Sequence, residues 1–156
     1  MARFFFYGTL LDPDVRRAVI GRAVAEAAIL EVSLAGYRVA RAQGRSYPIL
    51  AANEVAVATG VLVHGLSDAE AARLFHYEDK GYDPVEVAVV DARGRSRRGW
   101  VFMPGQRLSA MAEDWSYAAW SRRHKRRMMP LIAAWMGRYA GPRGVPKFRV
   151  WRMKRR

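Results

Sequence analysis

Two short stretches of this chain carry residue types that could do chemistry together. The first is Phe6-Tyr7-Gly8-Thr9-Leu10-Leu11, which reads as the end of a strand, a tight turn and the start of a helix. Gly8 has no Cβ, so backbone can approach a ligand closely there, and the amides that follow can point into a concavity. With a helix N-terminus at Asp12–Val15 behind it, the turn could cradle a carboxylate or an oxyanion. The same residues also suit an ordinary strand-to-helix turn in which Gly8 supplies the φ angle.

The second stretch ends in Glu78. Ser67-Asp68-Ala69-Glu70 is a capping box, with Ser at the N-cap and Glu three residues on, and it predicts a short helix to about Asp79. On that helix Ala71, Leu74 and Glu78 fall at i, i+3 and i+7 and share one face. Phe75 lies beside them, so this is the face expected to be buried. A carboxylate there loses hydration, and its pKa rises toward the range useful for proton transfer. Its place at the C-terminal end also opposes the helix dipole, a cost that a purely structural Glu would avoid. The plainer alternative is a helix-end Glu that reaches solvent or pairs with Lys80.

Other chemistries find little support. His64, His76 and His124 show no metal-ligand spacing, and there is no Gly-x-Ser-x-Gly, no Walker loop and no dinucleotide fingerprint. With no cysteine at all, disulfides, thiolate zinc sites and a Cys nucleophile are excluded together. The expectation is a site with neither metal nor cofactor.

The elements that must position these residues follow from pattern. Arg3 to Tyr7 is a buried strand, and Asp12-Pro13 places an N-cap and a first-turn proline ahead of a helix over Val15–Ile20. Strands are expected around Ala27–Val32 and Gly36–Arg41. Tyr47–Leu50 should form an edge or bulged segment, because Pro48 cannot donate to a ladder. Glu54–His64 alternates and predicts a further strand, bent at Gly60. Tyr82–Val90 and Arg98–Met103 predict a hairpin across the turn Asp91–Ser96. Helices are expected over Glu113–Arg127 and Leu131–Tyr139, interrupted near Pro130. Gly141-Pro142-Arg143-Gly144 should end them, with a last strand over Phe148–Met153. Strands before residue 104 and helices after it predict an α+β fold around a mostly antiparallel or mixed sheet, which could close into a small barrel.

The chain's 156 residues suit one domain, and 51% hydrophobic content excludes intrinsic disorder despite a net charge of +13. That charge is unevenly placed. Residues 1–78 hold 8 basic and 8 acidic side chains, whereas residues 79–156 hold 19 and 6. From Trp115 to Arg156 there are 13 Lys or Arg and no carboxylate. Such a field attracts polyanions or an acidic partner. Trp120, Met128, Leu131, Trp135 and Tyr139 form an apolar stripe inside this segment. It could serve as a stacking platform for nucleic acid beside Arg122, Arg123, Lys125, Arg126 and Arg127. A periodic stripe suits docking onto the body of the protein better, with those cations left solvated. No stretch reaches 18 uncharged apolar residues and no signal-peptide core is present, so a cytoplasmic protein without a membrane partner is expected.

Tyr7-Gly8-Thr9-Leu10 after an N-terminal strand resembles the signature of the gamma-glutamylcyclotransferase-like superfamily. Four further elements fall in that family's order: Gly36-Tyr37-Arg38, Tyr47-Pro48-Ile49-Leu50, the strand with Gly60, and Tyr77-Glu78 shortly before Tyr82. The resemblance covers residues 3 to about 104. It implies a small mixed β-barrel flanked by helices over 1–104, with the basic helical flank over 105–156 belonging to the same domain. It also implies that the amides of Tyr7, Gly8, Thr9 and Leu10 hold a substrate's carboxylate and polarised carbonyl, with Glu78 as general acid and base. Tyr82 is expected at the cavity wall, although a strand tyrosine packed in the core would look the same. The implied substrate is a small γ-glutamyl amine or peptide, and the implied product is 5-oxoproline. The competing reading is a non-catalytic module of the same fold that binds nucleic acid or an acidic partner through the basic half. Two departures fall beside the expected cavity: Pro84 stands where the family often has Arg, and Ile49 where it often has a small residue.

Overall fold

The computed structural model describes residues 1–78, 82–105 and 108–141. Five strands close into a mixed barrel: β1 (Ala2–Phe6), β2 (Ile29–Ala42), β3 (Pro48–Leu66), β4 (Tyr82–Asp91) and β5 (Ser96–Pro104). Around the barrel the order is β3, β1, β5, β4, β2, and the β2–β3 pairing closes the ring. Only β1 and β5 run parallel; every other neighbouring pair is antiparallel. A sixth strand, β6 (Ala110–Asp114), adds to the far end of β2. Because β1 is flanked by a strand on each side and packed on both faces, Phe4, Phe5 and Phe6 are all buried. A run of consecutive apolar residues, rather than an alternation, is what such a strand requires.

The strands expected as separate pieces are two long, bent ones. Residues 29–35 of β2 pair with 63–57 of β3 in the barrel wall, and residues 37–41 pair with 52–48 in an arm beyond it. The register shift between Ala35 and Tyr37 marks the bend. Pro48 opens β3, where its missing N–H costs least. Gly60 is required for another reason than bending. A Cβ there would lie 2.2 Å from the Phe6 carbonyl oxygen and 2.6 Å from the Phe5 ring, so its bareness lets β1 cross closely. The β4–β5 hairpin forms as expected, its turn held by the Asp91 carboxylate accepting from the amides of Arg93 and Arg95.

Among the described residues, four helices flank the barrel: α1 (Pro13–Ile20), α2 (Asp68–Glu78), α3 (Tyr117–Arg123) and α4 (Lys125–Gly137). The capping box that opens α2 is present in both directions: Ser67 N–H donates to Glu70 Oε2 at 2.8 Å, and Glu70 N–H to Ser67 Oγ at 3.2 Å. The helical expectation for Glu113 onward needs two corrections. Glu113 and Asp114 lie in β6, where they pair with Arg41 and Arg38 of the neighbouring strand. The interruption falls at His124, not Pro130, which sits within α4. Pro130 lies at the middle of that helix on its solvent-facing side, where it removes one backbone hydrogen bond without ending the helix. The end signal at 141–144 beyond Gly141 and the strand expected over Phe148–Met153 lie outside the described residues.

Side chains pack into two cores. One fills the barrel with strand residues, including Phe5, Leu34, Leu62, Val89 and Val101. The other joins barrel and helices through Phe4, Phe6, Val19, Leu74, Trp120 and Ile132. The C-terminal stripe therefore docks, but on a face slightly different from the one expected. Ile132 and Met136 are buried with Trp120, while Leu131 is 57% exposed. The anchor at the other end is electrostatic. Lys125 Nζ of α4 lies 2.9 Å from the buried Asp12 carboxylate and 2.7 Å from that of Asp14. Tyr117 O–H donates to Asp12 Oδ2 at 2.7 Å. Among the described residues, no helix is long and apolar enough to cross a membrane.

Candidate functional site

The turn after β1 leads into a short 3-10 turn over Thr9–Leu11, whose own bonds begin with Leu11 N–H to the Gly8 carbonyl. The amides of Thr9 and Leu10 are unused by that turn, as at any helical start. The amides of Asp14 and Val15 are not free in the same way, because the Asp12 side chain accepts from both at 2.9 and 3.2 Å. The expected contribution of the α1 N-terminus to an anion cradle is therefore corrected: its N-cap carboxylate already fills that role. At Gly8 the backbone has φ −118°, an ordinary value, so φ is not what requires glycine there. The requirement is room. A Cβ would lie 2.9 Å from Pro48 Cγ, so the Gly8 backbone packs directly on the Pro48 ring.

Glu78 is the last residue of α2, on the face whose Ala71 and Leu74 are fully buried. Thr9 Oγ1 and Tyr77 Oη are 2.8 Å apart, tying this helix end to the β1 turn. Both stretches then open on one cavity of about 570 Å³. Tyr7, Gly8, Thr9, Leu10, Glu78 and Tyr82 all line it, together with Tyr47 and Pro48 from the start of β3. The six residues singled out in the sequence thus meet at one place, although 68 positions separate Tyr77 from Thr9. Pro84 and Ile49 do not line the cavity. Pro84 faces Phe102 in the β4–β5 ladder, and Ile49 is buried opposite Ala40. Both still adjoin the cavity, as expected, because Phe102 opposite Pro84 and Pro48 beside Ile49 are lining residues.

Burial pushes the Glu78 carboxyl up to about pKa 8. The side chain is half-buried: it faces the open cavity on one side and is surrounded by protein on the others. No cation among the described residues pairs with it; Lys80 lies outside them. Three phenols surround it, and their hydroxyls are bonded elsewhere. Tyr7 O–H donates to the Phe102 carbonyl at 3.1 Å, Tyr82 O–H donates to the Pro48 carbonyl at 3.1 Å, and Tyr77 bonds Thr9. All three phenol pKa values are raised, first by burial and then by the Glu78 charge, so the phenols stay protonated. Such an arrangement leaves one carboxyl free to take up and release a proton near neutral pH, facing a turn with available amides.

Part of the cavity escaped the sequence reading. Trp120, Met128, Leu131, Ile132 and Trp135 of α3 and α4 form a wall, and Arg45, Ser46 and Leu108 contribute from loops. The helical stripe signalled docking; that it docks over an opening depends on where the barrel ends, which periodicity does not encode. The His76 and Trp135 rings stack at 4.6 Å, and each side chain hydrogen-bonds the other's carbonyl, fixing α4 beside the end of α2. Of the basic residues expected as a polyanion surface, Lys125 is committed to Asp12 and Asp14, while Arg122, Arg123, Arg126 and Arg127 are exposed. Among the described residues, no group of His, Asp or Glu is placed to hold a metal ion.

Comparison with known proteins bears on the family and the fold. AIG2-like protein A of Arabidopsis thaliana is 25% identical over 130 residues, covering 80% of this chain and 75% of the relative. AIG2-like protein B of the same plant is 25% identical over 142 residues, covering 90% and 81%. A solution structure of an Arabidopsis thaliana protein shares the fold with a TM-score of 0.64 at 24% identity, covering 91% of this chain and 95% of that one. A gamma-glutamyl cyclotransferase structure superposes with a TM-score of 0.59 at 14% identity, covering 70% and 69%. The sequence profile described as gamma-glutamyl cyclotransferase, AIG2-like matches residues 4–122, a span that carries the β1 turn, Glu78 and Tyr82. The chain belongs to the gamma-glutamyl cyclotransferase, AIG2-like family.

Proposed function

We propose that this protein is a γ-glutamyl cyclotransferase that releases 5-oxoproline from a small γ-glutamyl amine or peptide. The observation that carries the reading is that Glu78, poorly hydrated and unpaired among the described residues, opens on the same cavity as the Tyr7–Leu10 turn. An α-ammonium cannot attack a carbonyl, so a base must first remove a proton. Glu78 takes it, the α-amino nitrogen forms a bond to the γ-carbon, and a five-membered ring closes. Glu78 then delivers that proton to the leaving nitrogen as the γ-carbon–nitrogen bond breaks. It takes the second proton from the ring nitrogen and passes it to the freed amine, which leaves as an ammonium, so atoms and charge balance without water, metal or cofactor. Reaction within one molecule leaves the protein two tasks: folding the substrate, and stabilising the oxyanion with the turn amides of Gly8, Thr9 and Leu10. Tyr7 and Tyr82, held by their bonds to the Phe102 and Pro48 carbonyls, shape the walls around the glutamyl group.

The test is 5-oxoproline release from a panel of γ-glutamyl amines and peptides by wild type and Glu78→Gln. The substitution keeps the size of the side chain and removes its titration. A loss of about 10²–10⁴-fold in kcat is expected, the usual contribution of a positioned acid-base group. Equal rates would remove Glu78 from this role. The alternative in which the basic flank binds nucleic acid receives no comparable support, since α3 and α4 spend their apolar stripe on the barrel and the cavity wall.

A further inference from the structure

The cavity is chemically divided. The residues assigned above to the glutamyl group lie on the β1 turn, the end of α2 and β4. The part of the lining contributed by α3, α4 and Leu108 is made of Leu108, Trp120, Met128, Leu131, Ile132 and Trp135, which present apolar surface and two indoles. The only charged side chains among the described lining residues are Glu78 and Arg45. Glu78 is engaged in the reaction, so among the described lining residues no second carboxylate is left to receive a cationic leaving group. Arg45 and the exposed arginines on the outer faces of α3 and α4 add positive potential around the opening. A volume of about 570 Å³ is in the range that holds a drug-sized ligand, more than a glutamyl group needs. Met128, Leu131, Ile132 and Trp135 also lie beyond residue 122, where the family match ends, so four of the wall's six residues come from a part of the chain outside that match.

We propose that the wall from α3 and α4 is the leaving-group subsite and that it selects γ-glutamyl amides of bulky apolar amines, aromatic or branched aliphatic, over those of small or cationic amines. This rests on the cyclotransferase reading: the bond broken is the one between the γ-carbon and the nitrogen carrying that apolar group, and the nitrogen leaves with the proton delivered by Glu78. The wall is rigid. Trp120 and Ile132 belong to the core, and Trp135 is fixed through its bond to the His76 carbonyl at 3.0 Å. A preformed apolar surface gains about 25 cal/mol for each Å² it covers, whereas a diamine placed there would lose hydration with no counter-charge.

The test compares kcat/KM for 5-oxoproline release from γ-glutamyl phenethylamide, γ-glutamyl ethylamide and γ-glutamyl 4-aminobutylamide. The wild type is expected to favour the phenethylamide over the ethylamide by at least about 10-fold, the scale on which a hydrophobic pocket resolves extra apolar groups. The aminobutylamide should fall below both. Leu131→Asp places a carboxylate on the wall at a half-exposed position that tolerates it, and the thermal midpoint checks that folding is kept. The phenethyl-to-aminobutyl ratio should fall at least about 10-fold in that variant. Turnover of all three amides with no apolar preference, or a ratio that Leu131→Asp leaves unchanged, overturns the subsite while leaving the cyclotransferase reading intact. Calorimetric binding of the same amides to Glu78→Gln provides the second arm. Apolar preference in binding with no turnover by wild type supports the subsite and overturns the reaction; equal binding with no turnover overturns both.

Discussion

In the proposed reaction Glu78 owes its chemistry to what does not surround it. The phenols of Tyr7, Tyr77 and Tyr82 stand close enough to feel its charge, yet each hydroxyl is bound elsewhere. Burial therefore acts on the carboxyl uncompensated, raising its pKa to about 8. The sign of the consequence for stability follows. Between the ordinary carboxylate value and about 8 the folded protein keeps a proton that the unfolded chain releases, so stability falls as pH rises through that window. Glu78→Gln should accordingly melt higher than wild type at pH 9, by about 2–4 °C for each kcal/mol regained, with the two converging toward pH 4. A wild type that melts above the variant at pH 9 would show that Glu78 is stabilised as an anion. At Gly8 the expected effect is steric. Gly8→Ala drives a methyl against Pro48, displacing the turn amides and lowering kcat by about 10-fold or more, with a smaller loss of stability. Unchanged kinetics with a lowered melting point would mean that the turn amides do not act on the substrate.

At the scale of elements, the helical flank is tied to the barrel by a buried charge as well as by apolar packing. Burial of Asp12 disfavours its charge, but bonds from Lys125, Tyr117 and the amides of Val15 and Asp14 outweigh that, and the net pKa lies below the usual carboxylate value. One carboxylate thereby caps α1, receives Tyr117 of α3 and holds Lys125 of α4. Lys125→Met should cost about 1–3 kcal/mol at pH 7, because the anion left behind stays buried. A carboxylate with a lowered pKa stabilises above its unfolded value and loses that contribution as pH falls through the folded one. The gap between Lys125→Met and wild type should therefore close in the acid range, measured by denaturant melts from pH 7 to 3. A gap independent of pH would mean that the lysine stem, and not its charge, does the holding. Because α3 and α4 also wall the cavity, the same variant should loosen substrate binding, raising KM more than it lowers kcat.

For the whole molecule, much of the site was legible and its enclosure was not. The capping box, the Asp12-Pro13 start, the β4–β5 hairpin and the apolar β1 are local patterns, and each forms where its residues point. The convergence of the β1 turn with Glu78 was legible only through the ordered motifs, since no local rule brings Thr9 to Tyr77. What periodicity missed depends on the barrel. The bends that join four strand signals into β2 and β3 arise where the closed sheet meets its outer arm, and β6 is a strand because Arg38 and Arg41 receive its carboxylates. The break at His124 in place of Pro130 and the burial of Ile132 in place of Leu131 likewise depend on how the flank meets the barrel. The whole net charge of +13 lies beyond residue 78, and nearly all of it on that flank. The measurement that bears most directly on the whole account is the pH dependence of 5-oxoproline release by wild type and Glu78→Gln. The account predicts a wild-type rate that rises with pH through about 8 and levels off above it, and a variant that is about 10²–10⁴-fold slower with that ascending limb gone. A Glu78→Gln protein with the wild-type profile and rate would contradict it.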